Sequence, residues 1–180
     1  MDRLSAMFDV WKIYKGQSVA VRILSPFVDY SIHSLPLNMT TNWLEPHILG
    51  LLATVTTLIA ERICGQLKSD AMANVQVSAI SKLTQIGQEI VGERIYSFSS
   101  AQNQFFLDGC IAGKRFFEAL PSEQIRFAKS VFSRFSAIPD ISLAEPPVST
   151  SQIWNNSAHI LAPLLLDVWI ETVNGNLTCA

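Results

Sequence analysis

The run Pro46 to Ala60, PHILGLLATVTTLIA, limits what this chain can fold into more than any other feature. It holds 15 residues without a formal charge, bounded by Glu45 before it and Glu61-Arg62 after it. A membrane span needs about 20 apolar residues, so the run reads as a buried core helix. Its apolar residues and their neighbours (Leu44, Ile48, Leu49, Leu51, Leu52, Val55, Leu58, Ile59, Ile63) cover most of a helical circumference. A helix that is apolar all round must be enclosed by others. The expected fold is therefore one all-α domain over residues 1–180, a bundle of six to seven helices around a central apolar helix at about 43–65.

The other helices follow from period and punctuation. Asp2 can cap a first helix that ends at Lys15, with Leu4, Phe8 and Trp11 on one face and Gly16 as its stop. Residues 18–33 form a second helix, bent or split at Pro26; VAVRIL at 19–24 alternates like a strand but has no partner strand to satisfy its backbone. After the central helix, Ser69 or Asp70 opens a fourth that runs to about Ile95, with Met72, Val75, Ala79, Leu83, Ile86 and Ile90 as its seam. A fifth starts at Ser99 or Ser100 and stops before Pro121, with Phe106, Cys110, Gly113, Phe117 and Leu120 on its stripe and Gly109 beside it. A glycine inside a helix costs about 1 kcal/mol relative to alanine. Two of them, four apart on the apolar side, imply that another helix comes very close. Ser122-Glu123 begins a sixth helix, residues 138–148 form a proline-rich strap, and a seventh follows from Ser149, Thr150 or Ser151 to the Asn174-Gly175 stop.

Several function classes are excluded or left without support by the residues present. The net charge of −2 argues against a generic nucleic-acid binder, although Arg126, Lys129 and Arg134 interleave with Phe127, Phe132 and Phe135. The cysteines Cys64, Cys110 and Cys179 are too widely spaced for a zinc site, and none of His33, His47 and His159 lies in a metal-binding motif. Residues 109–115, GCIAGKR, resemble a phosphate loop only loosely: they lack the hydroxyl residue after Lys114 and sit in a helical pattern. No catalytic constellation and no cofactor motif is recognisable. Charges at Asp2, Arg3, Asp9, Lys12 and Lys15 interrupt the start of the chain, so an export signal is not expected and a cytoplasmic location is.

Bulk composition points elsewhere. Hydrophobic residues make up 49 % and charged residues only 16 %, where about 25 % charged is typical. That is more apolar material than a lone helical domain of this length needs, so part of it belongs to an interface or a pocket. The expectation is a non-enzymatic interaction or scaffold protein that self-associates, or binds a protein partner, through an apolar helical face. The alternative is a helical pocket for an apolar or aromatic small molecule. The candidate residues for either are Phe105, Phe106, Phe116, Phe117 and Trp169.

Overall fold

The computed structural model describes residues 3–34, 43–122, 125 and 169–170, with residues 3–9 and 32–34 described by their backbone alone. The fold is all-α, and no strand occurs among the described residues. Among the described residues five helices are defined: α1 (Arg3–Ser34), α2 (Pro46–Cys64), α3 (Ser69–Thr84), α4 (Gln88–Ser100) and α5 (Gln104–Ala119).

The central helix lies where the uncharged run required it. Pro46 occupies its first turn, where a missing N–H costs nothing and the fixed φ suits a helix. Leu49, Leu51, Leu52, Val55 and Ile59 are fully buried, and α1, α3 and α5 all pack on α2. Each such aliphatic side chain stabilises the fold by about 1.5–3 kcal/mol when removed from water. By length and composition α2 could also cross a membrane, but 61 % of that window is buried inside the protein, as in the core helix of a globular domain.

Among the described residues the helices number five, not six to seven, and three boundaries differ from expectation, two of which offset each other in the count. The two helices expected before residue 34 are one, because neither Gly16 nor Pro26 interrupts α1. Gly16 serves contact and not termination: a Cβ built on it would lie 3.1 Å from the Ala60 Cβ on α2. One turn away, Cys64 Sγ donates to the Lys12 carbonyl at 3.3 Å, so α1 and α2 run antiparallel. The single helix expected over 69–95 is two. Gln85 adopts a left-handed conformation (φ 58°), and Gly87 precedes the first residue of α4. Ile86 still packs on the core from the turn, but Ile90, expected on the same seam, is exposed. The fifth helix opens at Gln104, not at Ser99 or Ser100, because α4 continues through Ser100 and Asn103 supplies the cap. The Asn103 side chain accepts from the Phe106 N–H at 3.1 Å, satisfying one of the donors a helix start leaves open. The sixth and seventh expected helices, and the strap at 138–148, lie outside the described residues apart from helical positions at 122, 125 and 169–170.

Candidate functional site

Three features of the described residues stand out: a helix seam, a buried aromatic cluster and an exposed apolar set. The first is the seam between α2 and α5. A Cβ on Gly109 would collide with the His47 carbonyl, and one on Gly50 with the Phe106 carbonyl. One on Gly113 would lie 2.7 Å from the Leu51 carbonyl oxygen. His47 thus faces Gly109 and, one turn on, Leu51 faces Gly113, so α2 and α5 run parallel with their backbones almost touching. The close approach read from the two α5 glycines is present, and Gly50 on α2 answers them. The segment 109–115 is interior helix, so its N–H groups serve the α5 ladder and do not form a phosphate-binding loop.

The second feature is an aromatic cluster. Trp169 and Phe116 are both fully buried, with ring centroids 5.0 Å apart. Phe27 of α1, which sequence reasoning placed in no site, completes the group at 5.1 Å from Phe116 and 5.5 Å from Trp169. The Trp169 indole N–H donates to Ser31 Oγ at 2.9 Å, and that hydroxyl donates to the Phe27 carbonyl at 2.9 Å. Edge-on and tilted rings at this spacing contribute about 0.5–1.5 kcal/mol per pair beyond their buried area. The i, i+4 spacing of Phe27 and Ser31 on α1 was a signal available in the sequence, but nothing local connects them to residue 169.

The third feature is an exposed apolar surface. Nine large hydrophobic side chains remain exposed among the described residues, and five of them (Ile90, Tyr96, Phe105, Leu107, Ile111) lie on α4 and α5. Leu107 and Ile111 are one turn apart on the side of α5 that faces away from Gly109 and Gly113. Only Val91 of α4 is buried. The five residues singled out from sequence therefore separate. Phe116 and Trp169 meet in the aromatic cluster. Phe106 is buried against the α2 seam with its ring 6.2 Å from Phe98, Phe117 is half-buried beside the core, and Phe105 is 60 % exposed.

Titratable and ligating groups are sparse. No group of three or more His, Cys, Asp or Glu that could hold a metal ion occurs among the described residues. His47 is buried in the first turn of α2, the His33 side chain and all of His159 lie outside the described residues, and so does the basic stretch from Arg126 to Arg134. Burial pushes the Cys110 thiol above its ordinary pKa, and a hydrogen bond with the Thr54 side chain pulls the other way. Burial likewise lowers the pKa of the Arg22 guanidinium. Thr56 is fully enclosed in α2, and its hydroxyl has no hydrogen-bond partner among the described residues. No family model, no curated protein and no solved structure matches this chain.

Proposed function

We propose that this protein is a helical interaction module that self-associates through the exposed apolar side chains of α4 and α5. One observation carries the reading: among the described residues, five of the nine exposed large hydrophobics fall within residues 90–111. Interfaces concentrate aromatic and large aliphatic anchors, and Tyr96 and Phe105 are 75 % and 60 % exposed. A second copy is the occupant favoured by symmetry. An apolar helical face is complementary to itself, and two-fold pairing of identical patches is the commonest assembly of soluble chains. The surrounding charges on α5 (Asp108, Lys114, Arg115, Glu118) are of mixed sign, which suits a polar rim around such a patch.

The test is native mass spectrometry of the wild-type chain beside Ile111→Glu. A discrete oligomer that Ile111→Glu converts to monomer, with helicity unchanged, is the expected result. A wild-type monomer at high micromolar concentration would rule the reading out, as would an oligomer indifferent to Ile111→Glu. Lys82→Glu, at an exposed position on α3, serves as the charge control. The alternative reading, binding of an aromatic small molecule, draws support from the cluster around Trp169.

A further inference from the structure

We infer that Trp169 is an intramolecular ligand: it docks the C-terminal segment into an indole-binding cradle that the first five helices build without it. The cradle is Phe27 and Ser31 from α1 and Phe116 from α5. All three precede Trp169 by more than fifty positions in the chain. Their backbones are placed by contacts that do not involve residue 169. Gly16 fixes α1 against Ala60, and Gly50, Gly109 and Gly113 fix α5 against α2. The walls are therefore set before the indole arrives.

The recognition chemistry is specific. Two phenylalanine rings, in edge contact with each other at 5.1 Å and nearly perpendicular, present adjoining aromatic surfaces that a planar guest meets together, as the indole does at 5.5 and 5.0 Å. Ser31 Oγ accepts one N–H, and because its own proton goes to the Phe27 carbonyl, the hydroxyl is oriented to accept. The matching ligand class is a planar bicyclic aromatic bearing one ring N–H, of which the Trp169 side chain is the resident example. A rigid apolar slot emptied by truncation persists as a cavity and takes up a small guest of the missing shape. A free ligand of this class and the C-terminal segment would then compete for one site, and binding of the ligand would release the segment.

The experiment uses full-length Trp169→Gly with free indole, and with indene as the same shape lacking N–H. The variant is expected to stay helical with a lowered Tm. Indole at ten times its Kd is expected to raise that Tm by about 3–6 °C, and indene by clearly less. In Trp169→Gly/Ser31→Ala the two guests are expected to act alike. Loss of cooperative unfolding in Trp169→Gly would overturn the claim that the five helices build the cradle alone. No response to indole, or equal responses to indole and indene with Ser31 present, would overturn the assigned chemistry. In the wild-type chain, excess indole is expected to speed proteolysis beyond Ile125 while a fragment spanning α1–α5 persists; no change, or uniform loss of the whole chain, would overturn the competition. None of these results depends on oligomeric state, so they stand or fall separately from the α4–α5 interface.

Discussion

Replacing Gly109 by alanine should destabilise the protein, and the same change at Gly92 should stabilise it. Both glycines lie inside helices, so both substitutions gain about 0.5–1 kcal/mol from reduced backbone entropy in the unfolded chain. At Gly92 the new methyl meets only Val77 Cγ2 at 3.6 Å, an ordinary contact, and the gain survives. At Gly109 it meets the carbonyl, carbonyl carbon and Cα of His47, with the carbonyl carbon at 2.8 Å. These are backbone atoms inside α2 and cannot rotate away as a side-chain tip would. The helices must separate, and Gly50 and Gly113 share the seam that opens. Overpacking of a well-packed core costs about 1–3 kcal/mol and occasionally more. A rigid backbone obstacle belongs at the upper end, and a gap of ~0.5–1 Å forfeits a quarter to a half of each dispersion contact along the seam. The net expectation for Gly109→Ala is a loss of about 2 kcal/mol. For a chain of this length that lowers Tm by about 4–8 °C. Differential scanning calorimetry and urea unfolding of the two variants beside wild type decide the matter. Gly109→Ala as stable as wild type would refute the close parallel contact of α2 and α5. A loss at Gly92 as large as that at Gly109 would show that helix context, and not the seam, sets the sign.

Two further predictions concern groups enclosed in the core. Thr56→Val removes a buried hydroxyl without a partner among the described residues and keeps the side-chain shape, so urea unfolding should show a gain of about 1 kcal/mol; a loss would mean that the hydroxyl is satisfied. The Cys110 thiol, raised chiefly by burial, should react with iodoacetamide at pH 8 more slowly than an unfolded-chain thiol, and Thr54→Val should slow it again by removing the opposing hydrogen bond. The linkage sign follows: because the folded pKa lies above the unfolded one, the stability tied to the neutral thiol is complete below about pH 8.5 and is lost as pH rises through the folded value. A thiol that reacts faster than the unfolded chain, or stability rising across that range, would contradict the assignment.

What could be read from the sequence and what could not divides along the range of the interactions involved. The all-α class and the central helix were legible because apolarity around a whole circumference is a property of a 15-residue window. The seam was half legible. Gly109 and Gly113, four apart on an apolar stripe, announced a close approach, but only the fold supplies the partner, since Gly50 sits 59 positions earlier (109 − 50). Helix ends were misread where one residue type has two uses. Gly16 reads locally as a stop, yet it is a contact surface for Ala60, and a local window cannot separate these roles. The break at 85–87 was missed because the seam Met72, Val75, Ala79, Leu83, Ile86 keeps helical spacing up to the turn, and Ile86 stays packed on the core beyond it. The candidate site shows the same limit more sharply. Phe105 and Phe106 are adjacent in sequence and end on opposite terms with water, one 60 % exposed and the other 5 %. Phe27, absent from the sequence candidates, joins Phe116 and Trp169 across 142 positions (169 − 27). Periodicity assigns a residue to a face of its own helix. Which other face it meets depends on backbone approach, and in this chain three glycines set that approach for α2 and α5.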